Sequence, residues 1–196
     1  VRSNLLKILF ITGNKNKVQE ASEALAKYPI ILEQSNAFKP EIQDDNIENI
    51  ALNAAVQISN KINDPFVVED DGLFLTSLGG FPGPYTSYVL RTLGLIGILN
   101  LCNFCNTRKA EFRSALALYI NGTIKVFGGS VLGTIATSPR GSWGFGFDPI
   151  FIPHNSDKTF GEIGLKEKSQ ISHRAIAFKT MANYLVNYHS DLLSIK

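Results

Sequence analysis

Apolar residues along the chain fall into two rhythms: short continuous runs rich in β-branched side chains, and longer stretches where they recur every three or four positions. The first rhythm predicts buried strands and the second amphipathic helices, and their alternation predicts an α/β fold. Leu5 to Ile11 reads as a buried first strand, broken by Thr12-Gly13-Asn14. Val18, Ala21 and Leu25 then set a helix from about Asn16 to Lys27. Ile30 to Leu32 predicts a short strand, and Asn46 to Lys61 a helix burying Ile47, Ile50, Ala51, Ala54 and Ile58. Phe66 to Val68 starts a strand that runs into three adjacent acids, Glu69, Asp70 and Asp71, where it is expected to leave the core. After Gly72 and Leu73 to Leu75 comes a loop built on Gly79, Gly80, Pro82, Gly83 and Pro84. Thr86 to Leu93 and Leu95 to Phe104 predict two helices parted at Gly94. Asn121-Gly122 predicts a tight hairpin between Ala110 to Ile120 and Thr123 to Ala136. That hairpin is long enough to form a lobe of its own, and Gly128, Gly129 and Gly133 predict bulges or strong curvature in its second arm. Ser172 is the expected N-cap of a last helix, His173 to about Asn187, burying Ala177, Phe178, Met181, Leu185 and Val186.

Composition narrows this picture in few places. A length of 196 residues at 44% hydrophobic supports one domain spanning 1–196, with room for two lobes. A net charge of +2 gives no global pull toward nucleic acid or an anionic membrane, so an anion site must be built locally. Leu5 to Ile11 is too short for a membrane span and no small-residue cleavage site follows it, so a cytoplasmic protein is expected. Cys102 and Cys105 form a lone C-x-x-C without a second ligand pair, which reads as two ordinary thiols in a reducing compartment.

The candidate chemistry starts at the three acids. Unpaired buried carboxylates are costly, so three at the end of a core strand, followed by a rigid Gly/Pro loop, point to a divalent cation or a general base. Thr12-Gly13-Asn14-Lys15-Asn16-Lys17 lies between a strand and a helix start, where unsatisfied N–H groups and the helix dipole favour phosphate. It is not the P-loop pattern. Phe145-Gly146-Phe147-Asp148 sets large rings beside open backbone, suited to a flat base with Asp148 as acceptor, or else to an aromatic core plug. Arg174, in the first turn of the last helix, works against the dipole and needs a partner, for which a nucleotide would serve. Glu41 sits in the loop before the second helix, where a carboxylate is ordinarily exposed.

The order of these segments is more specific than any one of them. T-G-N-K-N-K, P-E-I-Q, E-D-D-G-L, G-G-F-P-G-P-Y, G-F-G-F-D-P-I-F and K-S-Q-I-S-H-R resemble the inosine triphosphate pyrophosphatases from Ile8 to the final helix. The resemblance implies an α/β fold with an elongated mixed sheet, flanking helices and a nucleotide cleft between two lobes. It also implies a homodimer that uses magnesium to split inosine or xanthosine triphosphates into monophosphate and pyrophosphate. Carried over by position, Thr12, Gly13, Asn14, Lys15, Asn16 and Lys17 would cradle the triphosphate, and Glu41 and Asp70 would hold the metal. Asp70 would be the base that activates water. Phe145, Gly146, Phe147 and Asp148 would hold base and sugar, with Lys168, His173 and Arg174 closing over base and phosphate.

This chain departs from that pattern twice. Asp71 stands where the family often has Ser, and an acid there could raise the pKa of its neighbour or itself hold metal or substrate. Asn53 stands where the resemblance leads to a Lys that contacts phosphate. A triphosphate carries about four negative charges, so carboxylates in its cleft make sense with a metal between them. Three rival readings are a Maf-like pyrophosphatase of different base selectivity, a non-catalytic nucleotide sensor, and an RNA-binding module. The carboxylate cluster and near-zero net charge oppose the last.

Overall fold

The computed structural model describes residues 5–188. In chain order it contains β1 (Leu6–Ile11), α1 (Lys15–Ala24), β2 (Ile30–Ser35), α2 (Ile47–Ser59), β3 (Phe66–Leu75), β4 (Pro82–Gly83), α3 (Thr86–Thr92) and α4 (Gly94–Cys102). A hairpin of β5 (Lys109–Ile120) and β6 (Thr123–Ile135) follows, then β7 (Phe151–Pro153), α5 (Leu165–Ile171) and α6 (His173–Tyr188). The strands form one mixed sheet in the order β2-β1-β3-β5-β6-β7, with β4 added beside β3. The half around β1 is parallel, as crossovers through α1 and α2 require, and the half from β3 to β7 is antiparallel. The fold is α/β, as the apolar rhythm predicts.

Side-chain alternation divides the core between the two faces of the sheet. Ile8, Phe10, Val67, Leu116 and Leu118 face α1 and α6, where they pack on Ala21, Phe178, Met181 and Leu185. Ile11, Phe66, Val68, Ala115 and Ala117 face α2 and its buried Ile47, Ala51, Ala54 and Ile58. A third cluster gathers Leu73, Leu75 and Phe112 with Ile98 of α4 and with Phe147, Ile150, Phe151 and Phe160. No helix among the described residues is long and apolar enough to cross a membrane.

Three expectations change. The central strand does not leave the core at its acids: β3 runs on through Glu69, Asp70 and Asp71 to Leu75, paired with β5 along its whole length. Its partner on the other side, β1, meets only Phe66, Val67 and Val68 before the chain turns away at Thr12, and β4 joins only at Leu73 and Phe74. Residues 69–72 therefore have one bare edge inside a continuous strand, and the crevice opens there. By the same alternation Glu69 and Asp71 point to the α1/α6 side, and Asp70 to the α2 side.

The hairpin is not a separate lobe. β5 is a central strand, and every residue of β5 is matched in register with β6, so its glycines mark no bulge. Two of them permit close approach instead. A Cβ at Gly129 would strike the backbone of His173 and Ala177, and one at Gly133 would strike the Ile152 carbonyl. Gly129 thus lets the start of α6 sit directly on the sheet. Asn121 and Gly122 do take the positive φ values, 50° and 76°, that a two-residue hairpin turn needs.

Candidate active site

A cavity of about 560 Å³ opens at the bare edge of β3, within the range of small-molecule sites. Its walls come from the β1–α1 turn, the segment before α2, the acids of β3, the turn at 145–148, and the starts of α3 and α6. Thr12, Gly13, Asn14, Asn16, Lys17, Glu41, Asp70, Asp71, Phe145, Gly146, Phe147, Asp148, Lys168, His173 and Arg174 all line it, as the sequence places them. Lys15 does not: it is exposed on the outer side of the first turn of α1. Asn53 is also outside the lining, where its side chain accepts from Gln57 at 2.6 Å.

Arg174 is the structural centre of the site. It is fully buried, and three carboxylates from two elements converge on it. Nη1 meets Glu20 at 3.0 Å, Nε meets Glu69 at 2.8 Å, and Nη2 meets Asp71 at 3.1 Å. Burial would lower its pKa, but the three acids hold it above the usual arginine range. The partner that the helix dipole demands is therefore supplied by the chain's own acids, and the residue is a built-in part of the cavity wall. An arginine has five N–H donors, so this arrangement commits one on each nitrogen and leaves donors on Nη1 and Nη2. Lys17 adds ion pairs to Asp71 and, at 3.5 Å, to Glu69; its pKa is held up against burial by those two acids. Asp71 is correspondingly held well below the usual carboxylate range: burial opposes this, and Lys17 and Arg174 overcome it. The acid that departs from the family pattern is thus a clasp between α1, β3 and α6.

Lys168, 3% exposed in its side chain, bridges Asp148 at 2.7 Å and Glu20 at 2.9 Å. The same Asp148 oxygen accepts from the Phe145 N–H at 2.7 Å and so closes the turn. Burial pushes the Asp148 carboxyl up, against the pull of Lys168. Of the two phenylalanines here, Phe147 is 1% exposed and belongs to the core, while half-buried Phe145 presents its ring to the cavity. The Lys168 ammonium lies 4.7 Å and the Arg174 guanidinium 5.3 Å from the Phe145 ring centre. His173 is stacked on Phe112 at 4.6 Å and is 2% exposed, a buried part of the wall. Neither of its ring nitrogens has a hydrogen-bond partner among the described residues; its Nε2 is 3.9 Å from Asp71, too far for one.

Asp70 faces a different set of groups. Its Oδ1 is 3.5 Å from Lys39, which also pairs with Glu41 at 2.9 Å, and its Oδ2 is buried with no partner among the described residues. Burial pushes its carboxyl up to about 6, against the pull of Lys39 and Lys17. A buried acceptor without a donor costs free energy, and a divalent ion or a water proton would satisfy it. Among the described residues no three His, Cys, Asp or Glu side chains form a ready cage for a metal. Magnesium does not need one, because it is ordinarily held by one or two carboxylates plus substrate phosphates.

Three participants escaped the sequence reading. Glu69 was one of three acids without a role of its own, yet it is 3% exposed and ties Arg174 and the Ser114 hydroxyl to β3. Glu20 is 1% exposed and joins Arg174, Lys168 and Ser172. Its signal was weak: an acid on the apolar stripe of α1 beside Ala21 and Ala24. Lys39 gave none, because its segment is irregular.

Glu20 also sets a pH dependence. Burial opposes its ionisation, but Arg174, Lys168, His173 and the Ser172 hydroxyl bring its pKa from 4.5 down to about 2. Between those values the unfolded chain binds a proton that the folded chain does not, so stability falls as pH falls through that window. Glu20→Gln is expected to flatten the slope of stability against pH between about 4.5 and 2, measured by urea unfolding across that range. An unchanged slope would remove Glu20 from the ion network.

Comparison with known proteins agrees with this geometry. A model of the Ham1 family matches residues 8–184. A dITP/XTP pyrophosphatase of Hyperthermus butylicus is 44% identical over 181 residues, covering 92% of this chain and 95% of that one. Another, of Methanopyrus kandleri, is 45% identical over 183 residues, with 93% and 97% covered. Among solved structures, a HAM1 protein from Coxiella burnetii superposes with a TM-score of 0.80 at 27% identity, covering 93% of this chain and 99% of that one. A nucleoside-triphosphatase/dITP/XTP pyrophosphatase from Mycobacterium abscessus superposes at 0.69 and 28% identity, with 89% and 98% covered. Sequence and fold coincide, and the chain belongs to the Ham1 family.

Proposed function

We propose that this chain is a single-domain nucleoside-triphosphate pyrophosphatase that hydrolyses inosine, deoxyinosine and xanthosine triphosphates to the monophosphate and pyrophosphate. The observation that carries the reading is Asp70, a buried carboxyl with one unpartnered oxygen, in the same cavity as Lys17 and the aromatic face of Phe145. The names of its relatives, dITP/XTP pyrophosphatases, supply the substrate class. Magnesium is the proposed cofactor, a homodimer the proposed assembly and the cytoplasm the proposed location; no nucleic acid or membrane partner enters the reading.

The charge balance supports the metal. The acids Glu20, Glu41, Glu69, Asp70, Asp71 and Asp148 outnumber the cations Lys17, Lys39, Lys168 and Arg174 in and behind the cavity wall. A triphosphate with about four negative charges cannot join such a site without added positive charge. Glu41 and Asp70 would hold the ion, which when bound neutralises phosphate charge and polarises the phosphoryl oxygens.

The remaining steps belong to the chain. The start of α1, where the Asn14 side chain already accepts from the Asn16 N–H, would turn its remaining N–H groups and positive dipole end toward the phosphates, with Lys17 beside them. Ionised Asp70 takes the proton of the attacking water, and the fixed cations face the oxygens that gain charge in the transition state. At the other end, Phe145 offers a stacking face. Hypoxanthine and xanthine present an acceptor at C6 and a donor at N1, and adenine presents the reverse. The uncommitted N–H groups of Arg174 can only donate and ionised Asp148 can only accept, so 6-keto purines fit and adenine is opposed at both positions.

Turnover of inosine triphosphate is therefore expected to exceed that of ATP by at least about a hundredfold in kcat/KM. Inosine, xanthosine, guanosine and adenosine triphosphates are compared with separate detection of pyrophosphate and orthophosphate. Orthophosphate as the primary product, or undiminished turnover in excess chelator, would overturn the reading.

A further inference from the structure

The segment between β2 and α2 crosses in front of the acidic edge of β3 without regular structure. Its outer side is open to water, with Phe38 82% exposed and the Glu41 side chain 63% exposed. Lys39 turns inward. The Lys39 side chain is 16% exposed, and its ammonium donates to the Glu69 carbonyl at 2.9 Å while pairing with Glu41 Oε1 at 2.9 Å and Asp70 Oδ1 at 3.5 Å. An ammonium has three donors and no acceptor. Here it meets three oxygens, two of them on the carboxylates assigned above to the metal. A positive charge thus already stands where the divalent ion's own ligands converge, at the end of a flexible four-carbon stem that can withdraw without moving backbone.

We propose that Lys39 is a resident counter-ion of the metal pair, competing with the divalent ion for Glu41 and Asp70 until a nucleotide's phosphates draw its ammonium away. The inference rests on the reading of Glu41 and Asp70 as metal ligands. It makes metal and nucleotide mutually supportive: phosphate releases the two carboxylates by giving Lys39 another partner, and by linkage the bound metal favours phosphate in turn. It also gives the segment before α2 a role that the irregular sequence pattern hides. Lys39 acts here as a positioning residue, because it works through the two carboxylates.

The test is binding of Mn²⁺ alone, without nucleotide, followed by the electron paramagnetic resonance of the free ion. The parent protein is compared with Lys39→Met, Lys39→Gln, Lys39→Arg and Asp70→Asn. Removing one positive charge beside the ligands is expected to tighten Mn²⁺ binding at least about tenfold in Lys39→Met, since the group is only partly screened by solvent. Lys39→Gln, which keeps a donor for the Glu69 carbonyl, should tighten it likewise should the Met variant not fold. Lys39→Arg keeps the charge and should stay near the parent, and Asp70→Asn should bind more weakly. Neutral variants that bind Mn²⁺ no better, with Asp70→Asn weakened, would overturn the role of Lys39 and leave the metal pair standing. Mn²⁺ affinity indifferent to Asp70→Asn would overturn both.

Discussion

Asp70→Asn is expected to lower kcat by about a hundredfold to ten-thousandfold while nucleotide affinity changes far less. The amide preserves the shape of the side chain, and the fold does not depend on its charge, because Asp70 stands outside the Arg174 network and, among the described residues, pairs only with Lys39 across 3.5 Å. What disappears is the ionised oxygen that can take a proton from water and hold a cation. Burial has already raised this carboxyl to about 6, so it is a better proton acceptor than an exposed aspartate. The base must be ionised, so kcat should fall as pH drops below that value, and a bound metal moves the fall further toward acid. Turnover and nucleotide affinity are measured in both proteins over the same pH range. A variant within about tenfold of the parent, less than a general base contributes, would mean that another group activates the water.

Much of the site was legible because its residues cluster in short motifs at element boundaries. Thr12 to Lys17 marks a strand-to-helix break, while the acids of β3 adjoin Gly72, where a Cβ would strike the Gly83 carbonyl, and the turn at 145–148 holds Gly146 at a φ of 66°; that punctuation is visible in one sequence. The fold was legible for the same reason: its strands and helices carry clean periods and plain caps, such as Asn46 accepting from Asn49 N–H before α2. What stayed hidden is pairing across distance. Nothing near Glu20 says that it will meet Arg174, which lies 154 positions away. Nor does the pattern of β3 say that its acids continue the strand, because an acid in a strand is tolerable only if another element brings a cation. α6 brings Arg174, α1 brings Lys17, and Gly129 allows α6 close enough to do so. Of the reading of Gly128, Gly129 and Gly133 as bulges or strong curvature, the bulges fail on the same point, since a glycine needed for close packing, as at Gly129 and Gly133, and one needed for a bulge look alike in sequence.

Those long-range pairs change what an arginine substitution will report. Arg174→Ala is expected to destabilise the fold by about 3–5 kcal/mol, the cost of leaving buried carboxylates without their cation. Glu20 and Glu69 are each 1% exposed in their side chains, and Asp71 14%, so water cannot readily replace the guanidinium. Lys17 and Lys168 remain, but they already pair with Asp71 and with Asp148 and Glu20. The loss should therefore appear as a large fall in urea midpoint, together with loss of activity on every nucleotide. Arg174→Lys restores one charge without the fork that spans three acids, and should recover only part of the stability. Phe145→Leu spares the network and removes only the stacking face, which accepts any base, so it should weaken inosine and adenosine triphosphates alike and leave their ratio to Arg174 and Asp148. If Arg174→Ala unfolds within about 1 kcal/mol of the parent, no more than an exposed ion pair is worth, the three-acid clasp is not what holds α6 to the sheet. Its role would then rest on nucleotide contacts alone.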